Sequence, residues 1–158
     1  LLEQRLVRQN LEHKVVNASI SGETTLGVKT RLEKLLNEYS PELVVIELGA
    51  NDGLRGFALS EIEQNLSDIV NNIKKTNAVI LLVPMQLPPN YGAAYNQRFM
   101  SIYESVTEKQ DVRLSPFILK DIAQHPDLMQ ADGLHPVKEA QAIMLENLWP
   151  SLEPLIIR

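Results

Sequence analysis

The sequence contains no cysteine. That excludes disulfides, thiolate metal sites and a cysteine nucleophile, and it fits any redox compartment. Positive charge is not in excess either: the net charge of −5 at pH 7 argues against a nucleic-acid or anionic-membrane partner, since both select clustered Lys and Arg. Long apolar runs are missing. The longest, residues 78–85, falls far short of the roughly 20 residues a spanning helix needs. The three histidines, His13, His125 and His135, are widely separated, and no His-x-x-x-His pair gives a zinc signature. Neither Gly-x-Gly-x-x-Gly nor Gly-x-x-x-x-Gly-Lys occurs, so no phosphate-cradling loop is encoded.

What is present is an ordinary soluble composition. Of 158 residues, 44% are hydrophobic and 22% charged, enough for one domain with a real core. The chain opens Leu1-Leu2-Glu3, with no initiator Met and no signal-peptide pattern. Leu2, Leu6, Val7 and Leu11 fall at helical spacing, so this reads as the middle of a helix. His13 would then sit at its C-terminal end, where a cationic side chain suits the dipole.

Helical and strand-like periods alternate from there on. The β-branched run "KVVNASI", residues 14–20, predicts a short strand. Residues 25–39 predict a helix burying Val28, Leu32, Leu35, Leu36 and Tyr39. Residues 42–48, "ELVVIEL", form a continuous apolar run bounded by Pro41 and Gly49, as a buried parallel strand would. Ser60 and Glu63 have the spacing of a capping box, opening a helix with Ile62, Leu66, Ile69, Val70 and Ile73 inward. "AVILLVPM" predicts the next strand. A helix over residues 93–107 then buries Phe99, Ile102, Tyr103 and Val106. "DVRLSPFI" predicts the last strand, and Pro136 suits the first position of the final helix. There are no repeats, low-complexity tracts or linkers. The expected fold class is α/β with a mostly parallel sheet covered by helices on both faces.

In such sheets ligands bind beyond the carboxyl ends of the strands. That directs attention to residues 19–25, 49–56, 85–91 and 130–136. Asp132 and His135, three apart, can meet if the segment turns. The carboxylate would then fix the tautomer of the imidazole and stabilise its protonated form. The competing reading is a pair that caps a surface helix. Asn51, just after Gly49, can aim a side-chain amide at a developing oxyanion, or can belong to an ordinary Asn-Asp-Gly turn. The amide of Gly22 is open to close approach. Ser19 and Ser21 are nearby, but neither lies in Gly-x-Ser-x-Gly, so both read better as turn residues. His125 precedes Pro126 and reads as a surface turn.

Taken together and in order, "NASISGET", "LGANDGLRGF" and "MQADGLHP", with "PPNY" between the last two, resemble the SGNH hydrolases, also called GDSL esterases. The likeness is greatest to their bacterial thioesterase I, arylesterase and lysophospholipase branch, and it runs over essentially the whole chain. The resemblance implies a three-layer α/β/α flavodoxin-like sandwich and an ester hydrolase that works through an acyl-enzyme. It implies His135 as general base, Asp132 as its orienting acid, and Gly22 and Asn51 as the oxyanion hole. It places Leu54, Phe57, Leu87 and Pro88 on the acyl-binding groove. No metal or cofactor is implied. The implied partner is a small-molecule acyl ester or thioester, without nucleic acid or stable membrane insertion, on a monomeric periplasmic or secreted enzyme.

One block departs from the family. Its nucleophile is the serine of a Gly-Asp-Ser motif ending the first strand, and no Gly-Asp-Ser occurs here. Residues 1–158 are therefore expected to be a single SGNH domain that is N-terminally incomplete, lacking the first strand and inactive as they stand. The alternative is a truncated, non-catalytic flavodoxin-like binding domain.

Overall fold

The computed structural model describes residues 1–157. Among them, three strands form one parallel sheet: β1 (Leu43–Glu47), β2 (Val79–Val83) and β3 (Arg113–Leu114), in the order β1-β2-β3. Leu43 lies opposite Val79 and Glu47 opposite Val83, so β1 and β2 pair along their full length. Helix α4 (Leu59–Lys74) connects β1 to β2, and α5 (Ala93–Gln110) connects β2 to β3. The predicted third strand is thus only two residues long, because Pro116 follows Ser115 and cannot extend the ladder.

Side-chain alternation along β2 explains the layers. Ile80 and Leu82 point into a core shared with α2 (Thr25–Tyr39), α4 and α5. Leu81 points to the opposite face, where it meets Leu6 of α1 (Leu2–Arg8) and Trp149 and Leu152 of α6 (Gln141–Ile156). Val83 on that face packs with Ile118, Leu119 and Ile122. A strand covered on both sides must be apolar at every position, which is why this stretch reads as an unbroken hydrophobic run. The expected three-layer α/β/α arrangement is the one observed.

The expected strand over residues 14–20 is not formed. The segment is irregular, and its polar groups find side chains instead: Arg31 donates to the Ala18 carbonyl at 2.8 Å and Asn17 accepts from the Ser19 amide at 3.0 Å. Propensity alone does not make a strand; a ladder partner does. The outer edge of β1 likewise pairs with nothing among the described residues. Val45 is consequently 41% exposed, while Val15 keeps its hydrophobic role by packing against the cluster of Leu6, Leu81, Trp149 and Leu152.

The helices match their periods better than their ends. All five predicted inward residues of α4 are fully buried. Its cap differs: the helix starts one residue before Ser60, and Ala58 occupies the cap without a side-chain bond. Glu63 instead accepts from Ser105 at 2.7 Å and Lys109 at 2.9 Å, tying α4 to α5 and holding its carboxyl below the usual range through those bonds. Thr24 caps α2 by accepting from the Gly27 amide, and Leu32 and Leu36 are buried as expected, but Tyr39 is exposed. In α1, Leu6 is buried while Val7 turns outward, and the helix stops at Arg8, so His13 lies well beyond its end. Helix α5 continues three residues past Thr107. Pro136 does not open the last helix. It forms an antiparallel bridge with Met129, and α6 begins only after a 3-10 turn over Lys138–Ala140.

Candidate active site

The first half of the site is built directly on the end of β1. Gly49 adopts φ 104°, a left-handed value, and a Cβ there would lie 2.5 Å from the Tyr103 hydroxyl. That hydroxyl donates to the Leu48 carbonyl at 2.7 Å. Only glycine fits between the strand end and this buried tyrosine. The chain then turns straight into α3 (Ala50–Leu54), which presents Asn51.

Three side chains, Asn51, Asp52 and Arg55, tie α3 and its C-terminal cap to the loop before α2 and to the first residue of α2. Asn51 donates Nδ2 to the Glu23 carbonyl at 3.0 Å, and Arg55 donates Nη2 to the Gly22 carbonyl at 2.9 Å. Asp52, 1% exposed, accepts from the Thr25 hydroxyl at 2.6 Å and from the Thr25 amide at 3.0 and 3.2 Å. Residues 19–25 and 49–56, separate in sequence, thus form one unit. An asparagine amide carries two N–H donors, so the bond to Glu23 orients the group and leaves one free. The Gly22 amide, at φ 74°, donates to no protein group among the described residues.

Asp132 and His135 form the second half. The imidazole Nδ1 lies 2.7 Å from Asp132 Oδ2, while Asp132 Oδ1 accepts from the backbone amides of Leu134 at 2.9 Å and His135 at 3.0 Å. The bond from His135 and then those two amides hold the Asp132 carboxyl down at about 2. An ionised carboxylate only accepts, so Nδ1 carries the proton and Nε2 is left as the acceptor. The His135 side chain is 67% exposed, so Nε2 is open to an incoming group. The turn is pinned from outside by a small ladder, in which the Gln130 amide donates to the His135 carbonyl at 2.7 Å and the Val137 amide donates to the Leu128 carbonyl at 2.9 Å. Helix α6 starts at Gln141 and not directly after His135.

Asn51 and the Asp132–His135 turn lie on connections that follow β1 and β3, whereas the Gly22 loop follows no strand among the described residues, and no hydrogen bond among them joins the two halves. Between them comes the loop after β2. Tyr91 donates its hydroxyl to the Leu54 carbonyl at 2.9 Å, and Asn96 clasps Leu87 by its amide and carbonyl. Leu54 and Pro88 are half-buried and Phe57 is 36% exposed. Leu87 is 5% exposed. It packs beneath Gly53, where an added Cβ would meet its methyls at 2.8 Å, and it offers a ligand almost no surface. Ser19 and Ser21 are exposed, and no histidine contacts either hydroxyl among the described residues. His125 is an exposed turn residue. No cluster of three or more His, Asp or Glu able to hold a metal is found among the described residues, nor is any helix long and apolar enough to cross a membrane.

The sequence gives no sign of the roles of Asp52, Thr25 and Asn96, and it predicts Tyr103 as buried without its bond to the Leu48 carbonyl. Asp52 follows Asn51 in what looks like a turn, and nothing in the pattern says that its carboxyl is buried.

Comparison with known proteins agrees with this architecture. Over 156 residues the chain is 46% identical to "Esterase TesA" of Pseudomonas aeruginosa, spanning 99% of this chain and 78% of that protein. It is 43% identical over 142 residues to "Thioesterase 1/protease 1/lysophospholipase L1" of Escherichia coli, spanning 90% of this chain and 68% of that one. A crystal structure of TesA superposes with a TM-score of 0.95 at 46% identity, covering 98% of this chain and 86% of the other. Residues 1–143 match the model of the GDSL-like lipase/acylhydrolase family. The fold, the order of the loops and these similarities agree: the chain belongs to that family.

Proposed function

We propose that this chain supplies the acid–base pair and the oxyanion donors of a serine ester hydrolase acting on acyl esters or thioesters. The observation that carries the reading is the Asp132–His135 pair at 2.7 Å with Nε2 free. A serine hydroxyl attacks the acyl carbonyl while Nε2 takes its proton, and ionised Asp132 steadies the imidazolium that forms. The carbonyl oxygen gains the negative charge. The free N–H of Asn51 and the amide of Gly22 donate to it, strengthening as charge develops. Collapse of the tetrahedral intermediate breaks the bond to the leaving oxygen or sulfur, which receives the proton from His135. Water, deprotonated by the same nitrogen, then releases the acid and regenerates the serine.

The attacking serine is not assigned within residues 1–158. The reading places it on a further strand of the protein, for which the unpaired edge of β1 is the natural neighbour. Leu54, Phe57 and Pro88 would line the acyl groove, with Leu87 as support beneath it. The relatives' names, which include esterase, thioesterase and lysophospholipase, support the ester class and leave the leaving group open. A monomeric, exported enzyme, periplasmic or secreted, belongs to the same reading on family resemblance. Labelling with a fluorophosphonate probe tests it in protein that carries the serine-bearing strand. One adduct per chain is expected, mapped outside residues 1–158. No adduct would favour a binding domain, and an adduct on Ser19 or Ser21 would require a different nucleophile.

A further inference from the structure

The buried hydrogen-bond chain behind Asn51 has no part in the chemistry described so far. Lys29 Nζ donates to Asn65 Oδ1 at 3.2 Å and is held in place by Asp68 at 2.6 Å. Asn65 Nδ2 donates to Thr25 Oγ1 at 3.1 Å, and Thr25 Oγ1 in turn donates to Asp52 Oδ1 at 2.6 Å. Asp52, Asn65 and Thr25 are 1%, 6% and 0% exposed. Every link runs in one direction and ends on the Asp52 carboxyl, which also receives the Thr25 amide on both oxygens. Each group has a partner, and no buried side-chain atom among the described residues is left unsatisfied. Such a chain admits one arrangement, because reversing any member sets donor against donor.

Its location gives it a consequence. Asp52 is the neighbour of Asn51 on α3, and Thr25 lies three residues after Gly22. Residues 51 and 52 therefore clasp the same short stretch, Asn51 at Glu23 and Asp52 at Thr25. The two clasps fix how far the Asn51 amide stands from the Gly22 amide. We infer that Asp52 is a positioning residue for oxyanion stabilisation, acting through Thr25 to set the spacing of the two donors. The inference rests on the reading of Asn51 and Gly22 as those donors.

A hydrogen-bond acceptor that merely filled space would tolerate an isosteric amide. Asp52→Asn keeps the shape but turns an NH₂ toward the Thr25 amide or hydroxyl, both of which donate. The donors would move apart by a fraction of an ångström up to an ångström, a displacement that reduces catalysis by about 10²-fold. Asp52 touches no substrate, so binding of the ground state is left alone.

The experiment is a double-mutant cycle on p-nitrophenyl ester hydrolysis, in protein that carries the serine-bearing strand. Asp52→Asn is expected to lower kcat about 10²-fold with KM little changed. In an Asn51→Ala background the same substitution is expected to change kcat by no more than about twofold. Full kcat for a folded Asp52→Asn protein overturns the inference. So does an equal loss in both backgrounds, which would mean that Asp52 acts independently of Asn51. If Asp52→Asn fails to fold, Thr25→Val, which removes only the hydroxyl, is read in the same cycle against the same criteria. An impaired Asn51→Ala with an unimpaired Asp52→Asn sinks the clamp alone. An unimpaired Asn51→Ala sinks the oxyanion reading beneath it.

Discussion

Asp132 shows how much a turn of four residues can do to one carboxyl group. Both oxygens are engaged, one by the His135 ring and one by two backbone amides, all without burial. The folded-state value of about 2 lies below the ordinary aspartate value of about 3.9. Its contribution to holding the turn is therefore complete above the ordinary value and is lost as pH falls through about 2. Across the range where esterases are assayed, Asp132 stays ionised and cannot produce an acidic limb in the rate profile. A carbon-detected NMR titration of the Asp132 carboxyl should find its midpoint at about 2, with the Leu134 amide shifting in parallel. A midpoint near the ordinary value would show that the pair does not form in solution. This residue pair was legible in sequence as a D-x-x-H spacing. Its hydrogen bonds to the two amides were not, because they depend on the turn at Gly133, φ 65°.

At the scale of elements, periodicity carried the helices and failed where a second element decides. The stripe of Ile62, Leu66, Ile69, Val70 and Ile73 could be read from spacing alone, because the helical period fixes which side chains share a face. Residues 14–20 could not be assigned correctly. Their β-branched side chains fit a strand, but strand formation depends on a neighbour the sequence does not display. Ser60 and Glu63 had the right spacing for a cap, yet Ser105 and Lys109 on another helix engage Glu63. Short α3 is the element on which the candidate site depends most. It is held by Tyr103 below its entry, Asp52 at its centre and Tyr91 at its exit. Gly53 lets it settle onto Leu87 and Phe99, where an added Cβ would stand 2.8 and 3.0 Å from those side chains. Gly53→Ala should therefore overpack this contact and destabilise the protein by roughly 1–3 kcal/mol, read as a lower urea midpoint at unchanged slope. An unchanged midpoint would show that α3 is not seated as described.

For the whole molecule, the parallel sheet converts distant stretches of sequence into one end of a domain. Asn51 follows β1, the loop of residues 85–91 follows β2, and the Asp132–His135 turn belongs to the long connection after β3. Sequence order revealed these blocks because a parallel α/β chain returns its functional loops to the same edge. The tie between Gly22 and Arg55 arises only when the end of α3 meets the loop before α2, and the buried chain from Lys29 to Asp52 only when α2 packs on α3 and α4, so no local pattern announces them. In the proposed mechanism His135 moves the proton in ester hydrolysis. The most direct test compares steady-state hydrolysis of p-nitrophenyl esters by the serine-bearing protein and its His135→Ala variant. kcat is expected to fall roughly 10²–10⁴-fold with KM little changed, the range of general acid–base catalysis. A His135→Ala protein that keeps full activity would contradict that mechanism.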